Sequence, residues 1–254
     1  MAYVLHEQRG KTRLITLNNP DRLNALSTRL LHEFEFILQD AINDPDTEAM
    51  VITGAGRAFC AGDDLKDFDW TNVSSASVRS HIQDIQRVTH LIMGCDKPVI
   101  GAIHGYAVGG GFEWLLNCDM VVAADSLIAF FPELKWGFFV TGGVTYLLPK
   151  AIGHQKSMEL FLLGERQDAG TLHRLGLVNW VVREGQHVEK AIEVANRITE
   201  KSSRPAVAQM KKTINSELGQ KLWHAIQLEQ NATIEAFMRP ETKEIVKTFV
   251  DKGK

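Results

Sequence analysis

The order of apolar and polar positions near the start of the chain predicts a strand pair followed by a helix. Residues 3–8 and 12–18 read as two short strands on either side of an Arg-Gly-Lys turn, which indicates a hairpin. Residues 26–41 repeat apolar side chains at helical spacing, and Ser27 is the candidate N-cap of that helix.

The middle of the chain alternates short apolar runs with helical patterns. A polar loop at residues 61–76 leads into a helical pattern at 78–93. Three apolar, partly β-branched runs have the length of buried strands, and they cover residues 49–53, 98–103 and 119–124. Because strands alternate with helices rather than with tight turns, the pattern predicts an α/β fold.

Helical patterns dominate the last part of the chain. After a strand candidate at residues 177–182, the sequence predicts four amphipathic helices, at 188–199, 205–216, 219–237 and 241–250. Helices of this kind have little core of their own, so they either fold back on the core or pack on a neighbouring subunit, and the pattern favours the second. We therefore divide the chain into an α/β core, residues 1–195, and a helical C-terminal region, residues 196–254.

The composition is that of an ordinary globular protein. Of the 254 residues, 44% are hydrophobic and 23% are charged, and the formal net charge is −3. This balance provides no strongly basic surface to attract phosphates, so we do not expect nucleic acid as a partner. No apolar stretch approaches the length of about 18 residues that spans a membrane, and the charged N-terminus is unlike a signal peptide. We expect neither membrane insertion nor export.

The cysteines and the paired aspartates do not indicate a metal site. Cys60, Cys95 and Cys118 are odd in number and lack the CxxC spacing of zinc or redox sites, so reduced thiols in a cytoplasmic protein are the simplest interpretation. Asp63 and Asp64 are adjacent, but no third ligand follows at a suitable spacing. We predict no metal.

Residues 103–113 (Ile-His-Gly-Tyr-Ala-Val-Gly-Gly-Gly-Phe-Glu) combine a glycine cluster with an acid. Consecutive glycines let backbone N–H groups approach a ligand without a Cβ between them, and a helix that begins there points its positive end at negative charge. Glu113 then lies in the first turn of that helix. Tight turns and helix packing are the alternative explanation of the glycines, and we expect His104 to be packed and hydrogen-bonded.

Three further segments accompany this cluster, and the four together carry a family resemblance. The other segments are residues 19–26 (Asn-Pro-Asp-Arg-Leu-Asn-Ala-Leu), 56–65 (Gly-Arg-Ala-Phe-Cys-Ala-Gly-Asp-Asp-Leu) and 131–137 (Phe-Pro-Glu-Leu-Lys-Trp-Gly). In order and spacing they resemble the crotonase superfamily, the enoyl-CoA hydratase/isomerase family, over nearly the whole chain. The resemblance implies that the backbone N–H groups of Asp63 and Gly110 form an oxyanion hole, in which each donor contributes roughly 3 kcal/mol.

The resemblance also implies chemistry on an acyl-CoA thioester whose carbonyl oxygen becomes enolate-like. Glu113 and Glu133 match the two glutamates with which hydratases of the family add water to a conjugated double bond. One carboxylate must activate water and one carboxylic acid must protonate the α-carbon. We assign Glu133 as the proton donor and Glu113 as the group that orients and activates water. No cofactor is implied beyond the coenzyme A of the substrate.

Further substrate-binding or CoA-binding residues follow from the same match. They are Arg22, Leu23, Ala61, Gly62, Asp64, Leu65, Gly109, Thr141, Gly142, Phe249 and Lys252. In the family the terminal segment reaches the CoA nucleotide of a neighbouring subunit, although an exposed basic terminus would also explain Lys252. The implied fold is a repeated ββα core with a helical C-terminal trimerisation region, assembled as a trimer or a dimer of trimers.

One segment departs from the family pattern. Hydratases usually read Ile-Pro-Gly-Ala-Gly-Gly where residues 139–144 read Phe-Val-Thr-Gly-Gly-Val, so Thr141 replaces a glycine near the catalytic water. Its side chain could crowd that water or bind it. An enoyl-CoA hydratase is our main hypothesis, and a Δ3,Δ2-enoyl-CoA isomerase, which needs Glu133 alone, is the nearest rival. The motifs are also compatible with a thioesterase, a dehalogenase or a non-catalytic acyl-CoA-binding scaffold.

Overall fold

The strands of the protein form two sheets. The computed structural model describes residues 2–67, 70 and 72–252, apart from the side chains at 247 and 249–252. In chain order the strands are β1 (Val4–Arg9), β2 (Thr12–Leu17), β3 (Ala49–Gly54), β4 (Ala58–Cys60), β5 (Val99–Ile103), β6 (Tyr106–Val108), β7 (Met120–Ala124), β8 (Ile128–Phe130), β9 (Gln167–Asp168) and β10 (Trp180–Val182).

The helices lie between and after these strands. They are α1 (Thr28–Asn43), α2 (Ser75–Gly94), α3 (Gly110–Asn117), α4 (Val144–Ile152), α5 (His154–Leu163), α6 (Ala169–Arg174), α7 (His187–Lys201), α8 (Arg204–Met238) and α9 (Pro240–Lys252). Two short 3-10 helices, Pro20–Arg22 and Glu133–Trp136, carry residues of the motifs. No helix in the described residues combines the length and apolar character needed to cross a membrane.

The sheet order reveals a repeated ββα unit, as the sequence predicted. The large sheet has the order β1-β2-β3-β5-β7-β10, and the small sheet has the order β4-β6-β8-β9. Each repeat places its first strand in the large sheet and its second in the small sheet, so that β3, β5 and β7 are parallel neighbours, as are β4, β6 and β8. The predicted hairpin is confirmed as the antiparallel pair β1 and β2.

Helices cover both faces of the large sheet. Strands β3 and β5 are buried along their whole length, which explains why they read as unbroken apolar runs rather than alternating ones. Side chains of α7 pack against one face, and α1, α2 and α3 contribute to the main core on the other. Ser27 caps α1 as predicted, because its hydroxyl accepts a hydrogen bond from the N–H of Leu30 at 3.3 Å.

The C-terminal region differs from the prediction in one respect. The two helices predicted at residues 205–216 and 219–237 are a single helix, α8, which continues through Gly219. A glycine costs an exposed helix only about 1 kcal/mol, and contacts with the core along α8 outweigh this amount. The predicted division after residue 195 falls inside α7, and it stays a prediction.

A buried lysine attaches α8 to the core. Nζ of Lys211 donates to Oδ2 of Asp119 at 2.7 Å and to the backbone carbonyls of Ile92 at 3.0 Å and Lys97 at 2.9 Å. Asp119 also accepts a hydrogen bond from the N–H of Val99 at the start of β5. One ammonium group thus joins α8 to α2 and to the loops that precede β5 and β7.

Replacing this lysine by methionine should destabilise the fold. Lys211→Met leaves the Asp119 carboxylate and two carbonyls without their cation. Because the side chain of Asp119 is 32% exposed and water can replace the ammonium there, the main loss comes from the buried carbonyls, and we expect it to be about 1–3 kcal/mol. Urea unfolding at fixed protein concentration would measure the loss. The exposed neighbour Lys212 provides the control, since Lys212→Met should change the free energy of unfolding by less than about 0.5 kcal/mol. Equal stabilities of the two variants would contradict this role.

Candidate active site

A small cavity of about 70 Å³ collects side chains from distant parts of the chain. Its walls come from the segment after β4, from α2, α3 and α8, and from residues 133–141. The lining residues are Asp63, Leu65, Ile85, Gly110, Glu113, Glu133, Phe138, Phe139, Thr141 and Phe237. Six of the residues predicted from the sequence therefore meet here, including both glutamates and both proposed oxyanion donors.

Two backbone donors on the cavity wall have no partner among the described residues. In the described part of the chain, the N–H groups of Asp63 and Gly110 donate to no other group. The two segments that carry them are in close contact, because a Cβ added to Gly62 would lie 2.7 Å from the carbonyl oxygen of Val108 and 3.6 Å from the nitrogen of Gly110. Only a glycine at position 62, with its φ of +81°, allows this approach. Both N–H groups are thus available to a ligand.

Glu113 is buried and held by Thr141. The glutamate lies in the first turn of α3 and is only 1% exposed. The backbone N–H of Thr141 donates to Oε1 at 2.7 Å, and the Thr141 hydroxyl donates to Oε2 at 2.9 Å. Burial raises the pKa of Glu113 to about 8, although the two Thr141 donors oppose the shift and the charge of Glu229 adds to it. The threonine that stands at position 141, where the family usually has glycine, therefore supplies a hydroxyl donor to the carboxylate of Glu113.

Glu133 lies in different surroundings. It begins the 3-10 helix after β8, and its Oε2 is buried and has no hydrogen-bond partner in the described chain. Burial raises its pKa well above the ordinary value, and the charge of Glu113 raises it further. Gly109 makes room for this side chain, because a Cβ there would lie 2.4 Å from Oε1 of Glu133. The neutral acid is the favoured form of Glu133.

The carboxylate of Asp63 has a partner that the sequence did not predict. Nε2 of His81, on α2, lies 3.2 Å from Oδ1 of Asp63, and the imidazole is buried. Burial lowers the pKa of His81, but the nearby carboxylates, first of all Asp63 and then Asp84, outweigh burial and raise it overall. The charged form of His81 is thereby favoured beside the cavity.

Asp64 is engaged with the early loop. Its Oδ1 accepts hydrogen bonds from Nη2 of Arg22 at 2.5 Å and from the N–H of Lys66 at 3.2 Å. Among the described residues, no group of three or more His, Cys, Asp or Glu side chains could hold a metal ion. The metal hypothesis for the paired aspartates thus has no third ligand in this part of the chain.

Backbone hydrogen bonds hold the early loop against the first oxyanion segment. The N–H of Ala61 donates to the carbonyl of Leu23 at 3.0 Å, and the N–H of Leu26 donates to the carbonyl of Gly62 at 2.9 Å. Together with the pair of Arg22 and Asp64, these contacts bring five of the predicted CoA-binding residues into one continuous surface.

A buried asparagine fixes the shape of that loop. Nδ2 of Asn24 lies within hydrogen-bond distance of three backbone carbonyls, those of Ala55, Ala58 and Phe59, at 2.8 to 3.1 Å. Leu23 and Asn24 both have positive φ, a strained conformation that such contacts maintain. The loop is recognisable in the sequence as a motif, but only the structure shows that Asn24 is its anchor.

Some predicted residues lie next to the cavity or outside the described atoms. Gly142 packs against Glu113, and His104 is buried with Nε2 2.9 Å from the carbonyl oxygen of Gly56, as expected. Helix α9 includes positions 249 and 252, but the side chains of Phe249 and Lys252 are outside the described part of the structure, so their contact with CoA stays a prediction.

A second, apolar cavity lies on the other side of Glu133. It has a volume of about 270 Å³ and shares Glu133 and Phe139 with the first cavity. Its remaining lining comes mainly from α4 and α5 and includes Phe131, Val140, Met158, Phe161 and Leu162. An apolar chain attached at the first cavity would find a matching environment there.

Comparisons with known proteins identify the family of the chain. Residues 7–254 match the family model described as enoyl-CoA hydratase/isomerase. The chain is 33% identical over 246 residues to a probable mitochondrial enoyl-CoA hydratase of Dictyostelium discoideum, covering 97% of this chain and 87% of that protein. It is 32% identical over 256 residues to a probable enoyl-CoA hydratase of Rhizobium meliloti, covering 100% and 98% of the two chains.

Solved structures give the same result for the fold. A crystal structure of an enoyl-CoA hydratase/isomerase from Mycobacterium paratuberculosis superimposes with a TM-score of 0.90 at 29% identity, and the match covers 98% of both chains. The crystal structure of an enoyl-CoA hydratase/isomerase from Pseudoalteromonas atlantica superimposes with a TM-score of 0.89 at 27% identity. This match covers 98% of this chain and 97% of that one. The chain belongs to the enoyl-CoA hydratase/isomerase family of the crotonase superfamily.

Removing the Thr141 hydroxyl should make Glu113 a weaker acid. Thr141→Val deletes the donor to Oε2 and retains the backbone donor to Oε1. A hydrogen bond to a charged group contributes about 1.5–3 kcal/mol, so we expect the acid dissociation constant of Glu113 to fall about tenfold or more. Infrared titration of the carboxyl band that disappears in Glu113→Gln would measure this constant. Thr141→Ser retains the hydroxyl and serves as the control, and an unchanged constant in Thr141→Val would contradict the assigned hydrogen bond.

Proposed function

We propose that the protein is an enoyl-CoA hydratase, which adds water to a trans-2-enoyl-CoA and yields a 3-hydroxyacyl-CoA. The observation that carries this proposal is the unlike setting of two glutamates in one cavity. Glu113 accepts two hydrogen bonds that stabilise a carboxylate, whereas Oε2 of Glu133 is buried without a partner in the described chain, which favours the acid. Hydration needs one group of each kind.

The proposed reaction uses the two glutamates on the two carbons of the double bond. Glu113 takes a proton from water while the water oxygen forms a bond to C3 of the enoyl group. The π electrons move toward C2 and the thioester oxygen, so that an enolate develops. Glu133 then gives its proton to C2, which completes the addition. The reaction is redox-neutral, and we propose that it needs no metal and no cofactor beyond the coenzyme A of the substrate.

The enolate oxygen requires donors that are in place before the reaction. We assign this role to the backbone N–H groups of Asp63 and Gly110, which line the cavity and donate to no other group of the described chain. Donors of this kind contribute roughly 3 kcal/mol each to the transition state, because they need no reorganisation when charge develops.

Thr141 supports hydration over isomerisation. An isomerase that moves one proton between two carbons can work with Glu133 alone. In this chain the N–H and the hydroxyl of Thr141 both hold the second carboxylate, Glu113. Two dedicated donors orient a carboxylate that has a task of its own, which in this proposal is the activation of water.

Membership in the family supports an acyl-CoA thioester as the substrate. We propose that the CoA moiety contacts the early loop and the oxyanion segments through the residues matched to the family: Arg22, Leu23, Ala61, Gly62, Asp64, Leu65, Gly109, Thr141, Gly142, Phe249 and Lys252. The apolar cavity beyond Glu133 provides room for the acyl chain. The cytoplasmic location stays a prediction, and one relative, the Dictyostelium protein, is named as mitochondrial.

We further propose that the protein assembles as a trimer or a dimer of trimers. Large apolar side chains are exposed on two helices, Leu162 and Leu163 on α5 and Met210 and Ile214 on α8, all more than half accessible to solvent. Surfaces of this kind on a single chain are typical of contacts between subunits.

Glutamine at either glutamate should abolish hydration. With crotonyl-CoA as substrate, we expect kcat to fall by about 10²–10⁴ in Glu113→Gln and in Glu133→Gln, because each variant loses a proton-transfer group while its shape is retained. The measurement is the loss of absorbance of the conjugated thioester. Binding of the 3-hydroxyacyl-CoA product should persist in both variants.

The same variants distinguish the rival functions. An isomerase would convert a Δ3-enoyl-CoA in Glu113→Gln and fail only in Glu133→Gln. A scaffold would bind acyl-CoA tightly and turn over no enoyl-CoA, even as the unmodified protein. Either result would overturn the hydratase proposal.

The proposed assembly predicts a discrete mass in solution. Light scattering coupled to size-exclusion chromatography should give three or six times the mass of one chain at micromolar concentration. Charged substitutions on the exposed apolar face of α8, Met210→Glu with Ile214→Glu, test whether that face takes part, and dissociation is the expected result. A monomeric unmodified protein would contradict the assembly.

A further inference from the structure

We propose that Glu229 is a positioning residue for the site, which fixes the backbone segment that holds Glu113. The segment comprises residues 139–145, and Glu229 reaches it from α8. The proposal rests on the hydratase function, in which Glu113 must keep a fixed orientation toward water, and it adds a residue that does not line the cavity.

The Glu229 carboxylate is buried, and its partners belong to one short stretch of backbone. The residue is 1% exposed. Its Oε2 accepts a hydrogen bond from the N–H of Gly143 at 2.7 Å, and its Oε1 accepts from the N–H of Thr145 at 2.9 Å and from the Thr145 hydroxyl at 2.6 Å. These N–H groups lie at the start of α4, where backbone donors have no partner within the helix. A carboxylate at this end of a helix is also favoured by the helix dipole.

Only one residue separates this anchor from the contacts of Glu113. Thr141 donates to both oxygens of Glu113, and Gly142 follows with its carbonyl accepting a hydrogen bond from Nδ2 of Asn117 at 2.9 Å. Gly143 is then held by Glu229. The orientation of Glu113 therefore depends on a segment that is fixed from α8 two positions further along the chain.

Helix α8 holds the other end of the segment as well. The hydroxyl of Thr233, one turn beyond Glu229, lies 2.8 Å from the carbonyl of Glu229 and 3.4 Å from that of Phe139. A Cβ on Gly143 would meet the side chains of Leu222 and Ile226, so α8 approaches the backbone there without a gap. The segment is thus enclosed between α3 and α8.

A purely structural cap and a positioning residue differ in their electrostatic effect. The negative charges of Glu229 and Asp63 both raise the pKa of Glu113. The charge of Glu113 in turn raises the pKa of Glu133, which lines the same cavity. Burial raises the pKa of Glu229 itself to about 7, so its carboxyl group is charged above about pH 7. Loss of this charge alone would lower the pKa of Glu113. Loss of the anchor would also displace the two Thr141 donors, whose backbone contact lowers the pKa more than the charge of Glu229 raises it, so it should raise the pKa of Glu113 and lower kcat.

The test compares Glu229→Gln with Glu235→Gln, an exposed glutamate on the same helix. For Glu229→Gln we expect kcat with crotonyl-CoA to fall about tenfold or more at the pH optimum, because a displaced catalytic group loses its alignment. The KM should stay within about twofold, and the acid limb of the pH profile should move to higher pH. Glu235→Gln should match the unmodified enzyme in all three quantities.

Thr145→Val is the second variant, since it removes only the hydroxyl donor to Glu229 and is expected to remain folded. Thr145→Val should lower kcat by a smaller factor than Glu229→Gln does. Unchanged kcat and an unchanged acid limb in Glu229→Gln would overturn the proposal. If Glu229→Gln does not fold, an unchanged kcat in Thr145→Val would overturn it instead.

A measurement without turnover separates this proposal from the proposed function. The carboxyl band of Glu113 can be titrated in the infrared by comparing Glu229→Gln with the double variant Glu113→Gln/Glu229→Gln, and its pKa should be higher than in the unmodified background. A higher pKa would support the positioning role of Glu229 even if the unmodified protein did not hydrate crotonyl-CoA. An unchanged or lower pKa would overturn that role even if the protein did.

Discussion

The burial of Glu113 is the constraint on which the rest of the site depends. A carboxylate that is 1% exposed loses the hydration that would stabilise its charge, and the penalty is several kcal/mol. The protein offsets part of this cost with two donors from Thr141, and the rest of the cost remains as the pKa of about 8. The donors in turn require the backbone of residues 139–145 to lie against the first turn of α3. The glycine at position 142 is a consequence of the same packing, because a side chain there would meet Glu113. One buried charge thereby determines the path of a loop that no regular element defines.

The C-terminal helices complete the site within the same chain. Phe237 of α8 lines the cavity that holds Glu113 and Glu133, and it stacks on Phe138 with ring centroids 4.5 Å apart. Lys211 attaches the start of α8 to the core, and Glu229 contacts the start of α4. These contacts occur near the two ends and the middle of a helix of 35 residues. A helix attached at several points cannot move without disturbing the cavity, so the predicted C-terminal region contributes to the site.

Much of the site was predictable from short motifs, and most of the large sheet from apolar runs. The runs that form β3, β5 and β7 are evident because strands buried on both faces are continuously apolar. The strands of the small sheet have two or three residues each, too few to show a period, and the helices α4 to α6 lie in a stretch where no helix is predicted. The roles of His81 and Glu229 are harder to predict from the sequence than those of the motif residues. Each is a polar residue on the buried stripe of a helix, among Val78, Ile82 and Ile85 or among Leu222, Ile226 and Thr233, and its partner lies far away in sequence.

The side chain of Asp63 places a negative charge next to the proposed oxyanion hole, and His81 partly compensates this charge. In the proposed mechanism the N–H of Asp63 stabilises an enolate oxygen, yet the same residue carries a carboxylate whose charge opposes a developing anion. A lone negative charge a few ångströms away would cost several kcal/mol at an effective dielectric constant of about 20. His81, 3.2 Å from that carboxylate and buried with a raised pKa, converts the lone charge into an ion pair. The field of a pair falls off faster with distance than that of a single charge. The N–H of Asp63 can therefore act on the oxyanion, while the paired side chain opposes the developing charge less than a lone carboxylate would.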